Sequence, residues 1–234
     1  MKALLKILSM EPNIAIIDSG VNHRHIHVNG VQGGLSFDLN AAGRVVKEID
    51  FSDTIGHGTA IAGIIKGKVP AARLFALKIF HAELNAPALL LLAALEFAID
   101  QEMKIICLSL GIEKEKYRAA LKKLCQNAYN KKIVILAAAR SPNDLVLPSA
   151  FDTVIGVYWN TECQGNDLLY HPGKPAEFGA HGRPRAIPGL AQERNFRGNS
   201  FAVAHVAARV AQLLKSNPDA EPLQIKKMLA HQSV

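Results

Sequence analysis

The chain has 234 residues, 49% of them hydrophobic, and carries a formal net charge of +7. That content suffices for one well-buried core, so a single domain over 1–234 is expected, with 1–12 as a short N-terminal extension. No apolar run is long enough to span a membrane. The basic residues are scattered without interleaved aromatics, which argues against a nucleic-acid partner and for an acidic peptide or protein.

Residues 1–10 are apolar but broken by Lys6, and they lead straight into the first strand. A short surface helix fits better there than a cleaved leader. Residues 13–17 form a continuous apolar run, as expected of a strand buried on both faces of a parallel sheet. Runs at 74–79, 105–110, 133–137 and 153–157 repeat the signal. Between them lie helical patterns. Residues 86–103 are apolar nearly all round, with Asn85 as a candidate N-cap and Pro87 in the first turn. Tyr117, Leu121, Leu124 and Ala128 share one face of a surface helix, with lysines opposite. Strands alternating with helices predict an α/β fold, a mostly parallel sheet with helices on both faces in three layers.

Three short segments carry chemistry. Asp18 ends the first strand within Ile16-Ile17-Asp18-Ser19-Gly20; His57 lies in Gly56-His57-Gly58-Thr59, opening a helical segment over 59–65; Ser200 lies in Gly198-Asn199-Ser200-Phe201-Ala202, opening a helix to about 214. Singly, each has a structural reading as a cap, a core histidine or an N-cap. Together they supply a carboxylate, an imidazole and a hydroxyl, which make serine a nucleophile. His57 would take and return the proton, and Asp18 would fix its tautomer. Free N–H groups at the helix start favour a developing negative charge on substrate. Cys107, Cys125 and Cys163 are odd in number and lack metal-ligand spacing, so reduced thiols in a cytoplasmic protein are expected.

The order Asp, His, Ser and the residues around each resemble the subtilisin-like serine peptidases. The resemblance extends to 69–79 after the histidine helix, to 103–111, to 147–151 and to 186–189. It implies the subtilisin-like fold and a serine endopeptidase that works through an acyl-enzyme without a cofactor. It assigns Leu108, Ser109, Leu110 and Gly111 to a strand that pairs with the peptide, and Ala138, Ala139 and Arg140 to the wall of the specificity pocket.

Departures from the family pattern carry their own expectations. The family's oxyanion asparagine is replaced in strict register by Ser141, while Asn143 lies two positions late. The hole can therefore use Ser141, Asn143, or the Ser200 backbone N–H alone, with Asn143 preferred because Pro142 must bend the loop. Arg140 stands where a small glycine is usual, so it narrows the pocket or favours acidic or small side chains. Between the histidine helix and Val69 only Lys66, Gly67 and Lys68 remain, too short and basic for the family's calcium loop, so no metal is expected there. His23, His25 and His27 alternate, but Arg24 and the lack of clustered partners weigh against a metal site. Asn199 borders the nucleophile, and His205 keeps a structural family position.

With seventeen residues before Asp18, no propeptide is expected. A peptidase made already active inside a cell needs restraint. In this the chain is similar to compact subtilisin-like peptidases that remove leaders from ribosomally made, cross-linked peptides, such as those associated with the small subunit of quinohemoprotein amine dehydrogenase. The partners that follow are a peptide or protein substrate and a complex with a precursor peptide or its modifying enzyme. A catalytically impaired peptide binder and an acyl-transfer enzyme remain as alternatives.

Overall fold

The computed structural model describes residues 11–233, so the helix expected over 1–10 lies outside the described residues. Nine strands form one sheet in the order β3-β2-β4-β1-β5-β6-β7-β9-β8. The central strands are β1 (Asn13–Asp18), β4 (Arg73–Lys78), β5 (Ile105–Leu108), β6 (Val134–Ala138) and β7 (Ile155–Trp159). All neighbouring pairs among them run parallel. Outside them, β2 (Gly33–Leu39) and β9 (Phe178–Ala180) continue the parallel pairing, and the edges β3 (Val45–Glu48) and β8 (Leu168–Tyr170) are antiparallel.

Side chains alternate across these strands, and both faces are apolar. Ile14, Ile16, Leu74, Ala76, Ile105 and Cys107 pack into one layer with helices α1 (His57–Lys68) and α4 (Asn199–Ser216). Ala15, Ile17, Leu77, Ile106, Leu108 and Ala137 face the opposite layer, under α2 (Ala88–Asp100) and α3 (Arg118–Asn130). Helix α4 is buried nearly all round because small residues such as Ala202, Ala204, Ala207, Ala208 and Ala211 let it lie close against the sheet. Helix α5 (Pro222–His231) closes the chain against α4, started by a capping box between Glu221 and Gln224 with Pro222 in its first turn.

Several sequence-derived boundaries shift. The apolar helix starts at Ala88 with Pro87 at its N-cap, not Asn85, because the proline carbonyl already accepts from Leu90 N–H. The last central strand lies two residues late, since 151–154 make a turn. Strand β5 stops at Leu108, so Ser109, Leu110 and Gly111 are irregular backbone beyond its carboxyl end. Among the described residues no helix is long and apolar enough to cross a membrane.

Candidate active site

The site lies beyond the carboxyl end of β1, where the chain order switches between β4 on one side and β5 on the other. Asp18 is the last residue of β1, His57 the first of α1 and Ser200 the second of α4. Asp18 is fully buried, and its Oδ1 lies 2.8 Å from His57 Nδ1 while accepting from Ser19 N–H at 2.7 Å. A carboxylate there can only accept, so Nδ1 carries the proton and Nε2 is left as the base.

The imidazole ring is enclosed by aromatics. Phe201 packs at 5.0 Å between centroids and Phe196 meets it edge-on at 5.8 Å. The Ser200 hydroxyl donates to the Ser109 carbonyl at 3.1 Å. That is a resting rotamer; unoccupied sites often hold catalytic hydrogen bonds open. Gly198 precedes the helix at φ 139°, a backbone region where a side chain would be strained.

A second carboxylate that the sequence reading missed organises this framework. Asp53 Oδ1 accepts from Ser19 Oγ at 2.9 Å and from the N–H groups of Ile55 and Gly56. Its Oδ2 accepts from both the N–H and the hydroxyl of Thr59. Ser19 Oγ in turn accepts from Gly58 N–H at 2.9 Å. Asp53 thus satisfies the open N–H groups at the start of α1 and ties them to the residue after Asp18. An acid shortly before a Gly-His-Gly-Thr helix start was the available signal.

A cleft of about 520 Å³ runs from Ser200 past the ends of β5 and β6. Ser109, Leu110, Gly111, Ala138, Ala139 and Arg140 line it, with Pro87, Val146 and Asn199. Leu108 is not among its lining residues: as a β5 residue it points into the core beneath α2 and α3 and is fully buried. Ser141 and Asn143 are exposed and also lie outside the lining.

Arg140 explains that placement. Its backbone N–H and Nε donate to Asp144 Oδ2 at 2.8 and 2.9 Å, and its Nη2 to Asp144 Oδ1 at 2.9 Å. Its Nη1 reaches Glu113 at 2.6 Å. The hydrogen bond from Arg140, assisted by its charge, holds the Asp144 carboxyl down at about 2. The arginine is therefore shared between two acids at the rim, and 140–144 curl into a turn that carries Ser141 and Asn143 outward.

A second cavity of about 200 Å³ adjoins Gly56 and Phe196 on the histidine side, lined by His25, His27 and Arg185 among others. Burial first, then the charges of Arg185 and His25, lowers the His27 pKa. The His25 and His27 rings meet edge-to-face at 5.1 Å, and among the described residues no group of three or more His, Cys, Asp or Glu could hold a metal. All three cysteines are free and buried. Burial pushes the Cys125 thiol up to about 12 and the Cys107 thiol higher still, so neither is an activated nucleophile.

With this geometry in place, the chain matches the subtilase family model over residues 10–233. Subtilisin E of Bacillus subtilis (strain 168) is 27% identical over 92% of this chain, which spans 58% of that relative's length. Subtilisin of Bacillus pumilus is also 27% identical over 92% of this chain and is covered over 81% of its own length. Among solved structures, a cold-adapted subtilisin-like serine proteinase superposes with a TM-score of 0.71 at 21% identity, covering 94% of this chain and 81% of that one. A lanthipeptide protease superposes with a TM-score of 0.69 at 18% identity, covering 92% and 77%.

Proposed function

Because the chain belongs to the subtilase family, we propose that it is a serine endopeptidase working through an acyl-enzyme on Ser200. The observation that carries this reading is the buried Asp18–His57 pair at 2.8 Å, beside a serine that opens a helix at the mouth of a peptide-sized cleft. Ser200 rotates from the Ser109 carbonyl to His57 Nε2, gives it the proton and attacks the substrate carbonyl. Asp18 stays ionised and stabilises the imidazolium. The tetrahedral oxyanion sits at the N-terminus of α4, where first-turn N–H groups and the helix dipole favour negative charge. Collapse expels the amine, which takes the proton from His57; water then repeats the sequence and releases the acid. Substrate backbone pairs with the irregular 109–111 segment beyond β5.

The finer part of the proposal is a dedicated processing step, removal of a leader from a ribosomally made precursor peptide. The solved neighbour described as a lanthipeptide protease supports it. So does the positive net charge, which suits an acidic leader or a complex with the precursor and its modifying enzyme. Three free, buried cysteines are in keeping with a cytoplasmic setting. A second reading, a peptide-binding protein with impaired turnover, is favoured by one observation: Ser141 and Asn143 both lie outside the cleft.

Fluorophosphonate labelling of wild type and Ser200→Ala, read by intact mass, separates the two. Labelling of wild type alone supports the peptidase. A folded wild type that resists labelling favours the binder. Product mass from a candidate precursor then distinguishes hydrolysis from acyl transfer.

A further inference from the structure

Resting on the serine-peptidase reading, we propose that the side-chain amide of Asn199 is the oxyanion donor of this enzyme, the role that neither Ser141 nor Asn143 is placed to fill. Asn199 lines the cleft together with Ser200, Ser109, Ala138 and Ala139. Its Oδ1 accepts from the Trp159 backbone N–H at 2.8 Å. A backbone N–H can only donate, so the atom facing it must be the oxygen, and the orientation of the carboxamide is settled. The NH₂ group is left on the other side. Among the described residues it makes no hydrogen bond, and it is not among their buried polar atoms sealed from solvent. An unused pair of N–H bonds therefore opens from the residue that precedes the nucleophile.

The donor is also held in place before substrate arrives. Trp159 is fixed by the β7–β9 register opposite Ala180, and its indole packs on Gly182, where a Cβ would come within 2.2 Å of the ring. The Trp159 N–H in turn fixes the rotation of the amide. A donor whose orientation needs no reorganisation during reaction is the kind that stabilises a developing oxyanion most. The first turn of α4 begins at Asn199 itself, so the open Ser200 N–H adds a backbone donor from the next residue.

The competing loop is pinned elsewhere. Asp144 N–H donates back to the Ser141 carbonyl at 3.1 Å, closing the turn, and the Pro142 carbonyl accepts from Ala176 N–H at 3.1 Å. Asp144 also holds Arg140 through three hydrogen bonds. Swinging Asn143 into the cleft would break these together.

The test is the second-order rate of fluorophosphonate labelling, in which Ser200 passes its proton to His57, its Oγ bonds to phosphorus, fluoride leaves and the phosphoryl oxygen occupies the oxyanion position. Asn199→Asp keeps the acceptor for Trp159 N–H and removes the donor; Asn199→Ala removes both. Loss of one such donor from a subtilisin costs on the order of 10²–10³ in turnover. Both variants should be labelled more slowly by about that factor, at an unchanged melting temperature for Asn199→Asp. Ser141→Ala and Asn143→Ala, in the exposed loop, should react at the wild-type rate. Labelling of Asn199→Asp at the wild-type rate overturns the assignment and leaves the peptidase reading intact, because Asn199 would then only anchor α4. Loss of labelling in Asn143→Ala or Ser141→Ala overturns it equally. Failure of the folded wild type itself to react removes the peptidase reading and this inference with it.

Discussion

Gly58→Ala is the sharpest test of how the Asp18–His57 pair is held. In an unencumbered helix the change gains roughly 1 kcal/mol. Here the added Cβ would lie 2.2 Å from the Gly20 carbonyl oxygen and 3.2 Å from Asp18 Oδ1, whereas real Cβ contacts essentially never fall below 3.0 Å. Both partners are backbone or buried, so no rotamer relieves the clash. Gly20 is itself packed closely, since a Cβ built on it would lie 2.3 Å from the Phe51 carbonyl oxygen. The start of α1 must move instead, by about 0.8 Å at least. A shift of that size along the hydrogen bond would carry His57 Nδ1 from 2.8 Å to about 3.6 Å from Asp18, outside hydrogen-bond range. A displacement of this size costs about 10²-fold in rate, and overpacking costs ~1–3 kcal/mol of stability. Fluorophosphonate labelling and thermal melting read the two effects. Gly33→Ala, where a Cβ would meet nothing within 4 Å, is the control. A Gly58→Ala protein that labels and melts like wild type would refute the argument.

Three further perturbations follow from the same framework. Asp53→Asn leaves one acceptor oxygen where five donors converge and turns an NH₂ toward N–H groups. The loss should be about 2–3 kcal/mol in urea unfolding, and an unchanged midpoint would count against Asp53 as the staple of α1. Asp144→Asn releases part of the charge of Arg140 to the cleft. Cleavage after acidic residues, relative to neutral ones, should rise about fivefold; an unchanged ratio in a peptide panel would remove Arg140 from specificity. Burial, then the charge of Lys68, lowers the His205 pKa to about 4 from the usual 6.5, against the Arg183 carbonyl that accepts from its ring. The folded state therefore resists protonation: the stability His205 contributes is complete above pH ~6.5 and is lost as the pH falls towards 4, by at most about 3 kcal/mol. His205→Gln should flatten urea midpoints over that window, and a variant with the wild-type slope would assign the pH dependence to other groups.

The central strands were legible, and the three candidate catalytic residues could be singled out, because their signals are local and redundant. A strand buried on both faces reads as an unbroken apolar run whatever its neighbours are, which is why β1, β4, β5 and β6 stand out. The four missed strands lie away from the centre of the sheet. Strand β2 opens on two glycines, β3 is four residues with a charged end, and β8 and β9 are three residues each. Their identity comes from pairing, which no window of sequence carries. The same limit applied within the site. The family resemblance puts Leu108 on the peptide-pairing strand, but strand alternation turns its side chain into the core. Asn143 is favoured in sequence by the bend that Pro142 imposes, while an arginine–aspartate tie four residues apart, without helical periodicity, decides where that loop points. Asn199 could be singled out as a neighbour of the nucleophile. Its free amide depended on a Trp159 N–H forty positions away.

The order Asp, His, Ser is itself a consequence of the fold. β1 starts at the middle of the sheet, so its carboxyl end marks the switch point. Right-handed crossovers then place α1, leading into β4, on one face. Helix α4 follows the last parallel strand and returns across that same face, bringing its N-terminus beside that of α1. Two helix N-termini therefore converge on one strand end, and their positive ends suit different charges. Asp53 occupies the first permanently, holding His57 and Asp18 in register. On the serine-peptidase reading the second is left to Ser200 and Asn199, whose donors meet a negative charge only when a substrate carbonyl becomes tetrahedral. A carboxylate like Asp53 at the second helix would stabilise the resting protein and cancel that preference. The first turn of α4 carries no acidic residue, as the serine-peptidase reading requires.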